Sequence, residues 1–242
     1  MALPGSESLP ARAPSRGRGL SPLYVAARTS LVTLRDGSRV IIRPGLPSDR
    51  DVLVKAFDRL SPESRYRRFF APVKAMSGRL LDHLTSIDYV DHFAWAAISA
   101  DPGPEPVGVG VSRYIRMPDD PAAAEMAVTV VDDWQGRGLG RILLDALVLE
   151  ALENGIIRFE GDVLVENRPM RELLRGAGAR VRPEGNGVLR FSIDLPARDE
   201  APRGAPFADL LRALAKGEVS LYQDEPCPWL SGPARGGSVL DR

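Results

Sequence analysis

The sequence predicts an α/β protein: a mixed but mostly antiparallel sheet of about six or seven strands, with helices on both sides. Three observations carry the prediction. Two β-rich runs flank Asp36-Gly37 in "LVTLRDGSRVIIRP", residues 31–44, a hairpin signal. Three more β-rich runs follow one another between residues 92 and 131, separated by short turns, as in an antiparallel meander. The last of them then runs into a glycine-rich turn and a helix in "VVDDWQGRGLGRILLDAL", residues 130–147.

Along the chain, residues 1–28 are rich in Pro, Gly, Ser and Ala and are expected to be a disordered tail. Its arginines read as solvated charge rather than as a nucleic-acid arm. The folded domain is expected over residues 29–197. After the hairpin, "PSDRDVLVKAFDRL" offers Ser48 or Asp49 as an N-cap, with Val52, Leu53, Ala56, Phe57 and Leu60 at helical spacing. "SPESRYRRFF", residues 61–70, opens with Ser61 as cap and Pro62 in the first turn. Its expected form is a solvated arginine face with Tyr66, Phe69 and Phe70 in the core; a docking surface for an acidic protein is the alternative. "SGRLLDHLTSID", residues 77–88, reads as a third helix.

The strands follow at 92–99, 107–116 and 124–131, with "PDDPAA" read as a loop. A helix is expected over 139–153, ending at Asn154-Gly155. A strand over 159–165, a helix over 167–179 and a last strand over 188–196 complete the domain. Residues 198–242 are a Pro-rich tail with one amphipathic stretch, 207–219, whose Phe207, Leu210, Leu211 and Leu214 share a face. That face is expected to pack back onto the domain or onto a partner.

Composition narrows the function. The chain has 242 residues, 44% of them hydrophobic and 26% charged, with 32 Lys+Arg against 32 Asp+Glu. A balanced charge points away from nucleic acid and from a membrane surface as partners. The single cysteine, Cys227, excludes an intrachain disulfide and a Cys-based zinc site. His83 and His92 are the only histidines, so no metal centre is expected. There is no apolar run of about 18 residues and no apolar h-region near the N-terminus, and a cytoplasmic protein is expected.

The glycine turn fits neither common phosphate fingerprint. G-x-G-x-x-G from Gly136 would need glycine where Arg141 stands, and from Gly138 where Leu143 stands. No Gly-Lys-Ser/Thr triplet is present for a P-loop. What remains is Gln135-Gly136-Arg137-Gly138-Leu139-Gly140-Arg141 between a strand and a helix. Successive N–H groups there converge, the helix start adds about half a positive charge, and glycines admit close approach. The turn is an anion site suited to a pyrophosphate, with Arg137 and Arg141 able to add charge at its rim.

These residues resemble the GCN5-related N-acetyltransferases (GNATs). Gln135, Gly138 and Gly140 match that family's acetyl-CoA loop, Gln/Arg-x-x-Gly-x-Gly/Ala. Asn167, Met170, Leu173 and Gly178 match its second signature, one helix and one strand further on. The resemblance covers roughly residues 30–196, and it implies a GNAT fold with splayed central strands. "VTLRDGSRVIIRP" and "LSPESRYRRFF" further resemble bacterial protein lysine acetyltransferases of the Pat type. Some of those fuse the domain to a cyclic-nucleotide-binding or acyl-CoA-synthetase-like domain. This sequence has room for neither, so cyclic-nucleotide control is not expected from it.

By position, the resemblance implies that Val128, Thr129 and Val130 meet the pantetheine arm of acetyl-CoA through their backbone. Gly136, Arg137, Gly138, Leu139, Gly140 and Arg141 would hold the pyrophosphate. Asn167 would sit beside the donor where the strands splay. An amine acceptor must lose a proton, and Glu125, a carboxylate in an otherwise apolar strand, is the candidate base, acting through a water. Burial would raise its pKa; an edge glutamate in water is the plain alternative. The Pat-type resemblance places a catalytic Glu here. Many family members carry an acid Tyr seven residues after the helix Asn, where this chain has Leu174.

A backbone N–H near Val130 is the expected oxyanion donor. Cys227 lies outside the resemblance, so direct transfer in a ternary complex is expected over an acetyl-cysteine. His83 and His92 are rival bases, with a structural role the plainer reading. Trp134 reads as a packing residue. The implied activity is acetyl transfer to an amine, a protein lysine foremost. The alternatives are a small amine and a catalytically weak acyl-CoA-binding regulatory module.

Overall fold

The computed structural model describes residues 21–101, 103, 105–197, 207–218 and 221. Most of the expected N-terminal tail, and most of 198–242 including Cys227, lie outside the described residues. The strands are β1 (Ser30–Thr33), β2 (Arg39–Pro44), β3 (His92–Ser99), β4 (Gly108–Met117), β5 (Asp120–Val130), β6 (Arg158–Leu164), β7 (Arg180–Gly185) and β8 (Val188–Asp194). The helices are α1 (Pro22–Ala27), α2 (Arg50–Asp58), α3 (Pro62–Phe69), α4 (Gly78–Thr85), α5 (Leu139–Glu153), α6 (Arg168–Gly176) and α7 (Phe207–Lys216). One 8-stranded sheet runs in the order β1-β2-β3-β4-β5-β6-β8-β7. Only the β5–β6 pair is parallel.

Side-chain alternation along β4 assigns the two faces. The Ser112 hydroxyl donates to the Leu143 carbonyl of α5, whereas the Arg113 guanidinium donates to the Leu84 carbonyl of α4. Helix α5 is apolar almost all round because it is covered on both sides, by the sheet and by α7. The Phe207 ring of α7 stacks on Trp95 at 4.7 Å, and Leu210, Leu211 and Leu214 are buried. Each such leucine contributes about 1.5–3 kcal/mol of burial. The amphipathic stretch therefore packs back onto the body of the protein.

Three elements differ from the sequence reading. The sheet gains a strand, β7, whose six residues are all exposed. It is joined by backbone pairing to β8 alone, so no hydrophobic alternation marks it. Strand β5 reaches back to Asp120, through residues expected in a loop. The end of the expected tail folds as α1, capped by the Ser21 side chain with Pro22 in its first turn. Its anchor is polar: Tyr24 Oη donates to Glu150 at 2.9 Å and Arg28 Nε to the same carboxylate at 3.1 Å. A partner so far along the chain leaves no local signal in the sequence.

The feature that positions the site is a fork. The β5–β6 ladder holds Ala123↔Arg158, Ala124↔Phe159 and Glu125↔Glu160, and stops there. Strand β5 runs on to Val130 paired with β4, and β6 runs on to Leu164 paired with β8. The two strands diverge with their facing edges unpaired. Gly161 permits the crotch: a β-carbon there would stand 2.7 Å from the Phe191 ring and 3.3 Å from the Met126 carbonyl.

Candidate active site

The fork opens a cleft of about 690 Å³. Glu125, Val128, Thr129, Val130, Gln135, Gly136, Gly138, Gly140, Arg141 and Asn167 all line it. Of the residues nominated from the sequence, Arg137 and Leu139 do not. Leu139, the first residue of α5, is buried in the core. Any contribution from it to a ligand is through its backbone.

The loop is shaped by its glycines and by what is missing at the helix start. Gly136 (φ 75) and Gly138 (φ 88) take left-handed backbone that side-chain-bearing residues rarely adopt. Gly138 caps α5 with no side chain donating or accepting, and the first turn carries no acidic residue. The Arg141 amide turns back to the Gly138 carbonyl at 3.1 Å, which leaves the Leu139 and Gly140 amides and the positive helix end to be answered from outside the protein. Gly140 is different. It needs no unusual backbone, and a β-carbon there would meet only Leu173 at 3.8 Å and Val130 at 3.9 Å, ordinary contacts. Nothing in the protein demands glycine at 140, whereas a ligand lying against that turn would. The Gln135 carboxamide donates to the Val130 carbonyl at 3.1 Å, pinning the loop to the end of β5.

The two rim arginines are both engaged. Arg137 pairs with Asp36 at 3.0 Å, donates to the Asp133 carbonyl at 2.6 Å and lies over the Trp134 ring at 4.7 Å. Trp134 is itself buried, a packing residue. Arg141 pairs with Asp145 at 2.8 Å and donates to the Gly176 carbonyl at 3.0 Å, clamping α6 to α5. Burial pushes the Asp145 carboxyl up to about 6, and Arg141 opposes part of that rise. Asn167 caps α6, its side chain accepting from the Met170 amide at 3.2 Å. It lines the cleft wall at the far arm of the fork.

Glu125 is the last β5 residue paired to β6, so it stands at the crotch. By alternation it faces the side of the sheet that carries α4, together with Ala127 and Thr129. Burial among apolar neighbours was the expected source of its reactivity; the structure corrects this, since Glu125 is exposed to the cleft. The nearby cation is Arg68 of α3, partly buried, which no carboxylate pairs among the described residues. Burial lowers the Arg68 pKa and the charge of Glu125 raises it. Behind Arg68, Phe69 and Thr129 lies an apolar cavity of about 80 Å³. Arg113 lines it too, its pKa pushed down to about 9 by burial and then by Arg68.

Helix α3 is the second correction. Tyr66 and Phe70 are exposed rather than in the core, and the arginines are the partly buried residues. Phe69 alone packs inward, 5.9 Å from the Phe57 ring. Phe70 ends the helix in left-handed backbone (φ 56), uncommon for a bulky residue, and presents its ring at the cleft. Ser64, Arg67, Arg68 and Phe70 of this stretch, with Arg35 of the hairpin, line the cleft without having been nominated as donor-site or catalytic residues. The cluster "SRYRRFF" was the signal for the four residues of α3 and its end, and the hairpin motif at Asp36-Gly37 the signal for Arg35.

The rival bases lie elsewhere. His92 is buried, 3.2 Å from Arg113 Nη1 and ring to ring with His83 at 5.7 Å. Burial, then Arg113 and His83, push its pKa down to about 4. Leu174, at the position of the family's acid Tyr, is buried in the core and does not line the cleft. Among the described residues no group of three or more His, Cys, Asp or Glu could hold a metal, and no helix is long and apolar enough to cross a membrane.

A sequence profile of the acetyltransferase (GNAT) family matches residues 61–179. The chain is similar to acetyltransferase Pat of Mycolicibacterium smegmatis, 35% identical over 181 residues, which cover 75% of this chain and 53% of that protein. It is similar to an acetyltransferase of Pseudomonas aeruginosa, 38% identical over 146 residues, 60% of this chain and 77% of that one. Among solved structures it is similar to the GNAT domain of PAT from S. lividans, with 34% identity and a TM-score of 0.63, covering 71% of this chain and 99% of that one. The chain spans about half the length of the Mycolicibacterium relative.

Proposed function

The chain belongs to the acetyltransferase (GNAT) family, and from that premise we propose that it moves an acetyl group from acetyl-CoA to the side-chain amine of a protein lysine, directly, in a ternary complex. The observation that carries this is the fork: a parallel ladder that stops at Glu125, beside an uncapped helix start with a glycine the protein itself does not need. When bound, acetyl-CoA supplies the thioester and a pantetheine arm whose amides can pair with a free strand edge. The β5 edge over Val128–Val130 offers that pairing, and the loop from Gly136 to Arg141 offers amides to the pyrophosphate.

A lysine ammonium, with an ordinary pKa of about 10.4, must give up a proton before it can attack. Glu125 takes that proton, through a water, from the α3 side of the cleft. The amine nitrogen then bonds the thioester carbon, a backbone N–H near Val130 supports the oxygen, the carbon–sulfur bond breaks to release CoA as its thiolate, and the second nitrogen proton passes to water to leave the neutral amide. No cleft residue stands where the family's acid Tyr would, so the thiolate leaves unassisted. The rim at Glu125 and Phe70 is exposed, which suits a protein segment better than an enclosed small molecule. The likeness to Pat proteins supports the same acceptor.

Two observations favour a second reading. An exposed Glu125 and an inward Leu174 also suit a module that binds acyl-CoA and turns it over weakly. Free-thiol release from acetyl-CoA, followed with lysine-bearing proteins and small amines as acceptors, separates the two. Acceptor-dependent release that falls at least about a hundredfold in Glu125→Gln supports the enzyme and its base. Tight binding with no release on any acceptor supports the module.

A further inference from the structure

The geometry points to Arg35, at the tip of the β1–β2 hairpin, as a direct ligand of the donor's phosphates. The inference rests on the reading of the cleft as an acetyl-CoA site. The hairpin is held against the glycine loop at two points. The Arg35 amide donates to the Arg137 carbonyl at 3.5 Å, and Asp36 pairs with the Arg137 guanidinium at 3.0 Å. The Arg35 side chain then lies across Gly138: a β-carbon there would stand 3.3 Å from its Nε and 3.5 Å from its Cδ. It lines the same cleft as Gln135, Gly136 and Gly140.

Its electrostatics are unresolved as they stand. The side chain is exposed, and among the described residues no hydrogen bond or ion pair holds the guanidinium. The nearest acid on its own turn, Asp36, is taken by Arg137 and by the Ser38 hydroxyl and amide. A cation is thus parked over the positive, uncapped start of α5, with Arg137 and Arg141 nearby and no free carboxylate in the loop. Like charge at a helix start is unfavourable, and an anion between the two reverses the sign of both interactions. The two rim arginines read from the sequence are committed to Asp36 and Asp145. Arg137 braces the hairpin, and with Arg68 standing at the other end of the cleft near Glu125, Arg35 is the guanidinium beside the glycine loop left to meet a phosphate.

Calorimetric titration of the full chain with acetyl-CoA, and with CoA lacking its 3′-phosphate, tests this. Arg35→Ala should weaken acetyl-CoA about tenfold at low salt, less as salt rises, and Arg35→Lys should recover part of the loss. Arg39→Ala, which removes another exposed arginine of the same hairpin, should leave the affinity unchanged. A loss kept with the dephosphorylated donor assigns Arg35 to the diphosphate, and a loss confined to intact CoA assigns it to the 3′-phosphate. Equal affinity in Arg35→Ala and wild type overturns the inference, as does an equal loss in Arg39→Ala. Failure of the wild type to bind acetyl-CoA strikes instead at the function proposed above.

Discussion

The two ends of the cleft are built differently. The phosphate end is one continuous stretch, Gln135 to Arg141, acting mainly through backbone: two glycines in left-handed conformation and a helix start with nothing capping it. The other end is assembled from side chains far apart in the chain, Glu125 from β5, Arg68 and Phe70 from α3, with the crotch set by Gly161. A site made of backbone is specified locally, because dihedral angles and N–H directions follow from a few neighbouring residues. A site made of side chains is specified by the fold. The first end should govern how tightly the donor is held, and the second how fast the acyl group leaves.

Kinetics can break that division. The largest effect expected is for Glu125→Gln. It should lower kcat about 10²–10⁴-fold while the acetyl-CoA Kd stays within about twofold. Because Glu125 is exposed, its melting temperature should match that of the wild type. A loss shared between Kd and kcat would mean that Glu125 holds the donor rather than serving the acceptor.

The next effect sharpens the phosphate end, where Asp145 anchors Arg141. Its folded pKa, about 6, lies above the ordinary 3.8. The folded protein therefore binds that proton more tightly than the unfolded chain. This carboxyl favours folding below about pH 4 and costs stability as the pH climbs towards about 6. In Asp145→Asn that cost is gone, so the stability of the variant relative to wild type should improve by about 2–3 kcal/mol between about pH 4 and 7. Urea unfolding at both pH values measures it, and a difference independent of pH counts against a buried, high-pKa Asp145.

What could be read from the sequence follows the same division. The loop and the helix behind it are contiguous, and the helix spans the residues the pattern put in it, while the strand before it starts earlier, at Asp120, and Arg137 and Leu139 stand outside the cleft lining. Asn167 and the meander are equally local. Strand β7 was invisible because its residues are all solvent-facing, and α1 because its anchor is a buried Glu150 reached only in the folded chain. Helix α3 was read with the right bounds and the wrong face. Arginine on a short helix beside aromatics reads as solvated charge, and only the folded chain brings Arg68 into the same cleft wall as Glu125. Arg35 escaped for a related reason: a hairpin signal fixes the turn but says nothing of what the turn rests upon.

Smaller again is Gly138→Ala. Left-handed backbone costs a residue with a β-carbon about 1–2 kcal/mol, and at 138 that carbon also crowds Arg35 at 3.3 Å. Donor affinity should fall about tenfold, with kcat at saturating acetyl-CoA within about twofold of wild type. A fall in kcat alone would dissolve the division between the ends.

The smallest effect is the most discriminating. Gly140 sits in the first turn of α5 with ordinary backbone and room for a β-carbon, 3.8 Å from Leu173 and 3.9 Å from Val130. Within the protein alone, Gly140→Ala should be neutral or stabilise the helix by up to about 1 kcal/mol. Its melting temperature should hold or rise, unlike that of Gly138→Ala. Acetyl-CoA affinity should nevertheless drop several-fold, because the added methyl occupies the side of the turn that the phosphates approach. Stability and affinity moving in opposite directions is the signature of a glycine kept for a ligand rather than for the fold. If both stay level, the donor does not lie against this turn, and the phosphate end must be redrawn around Gly136 and Gly138.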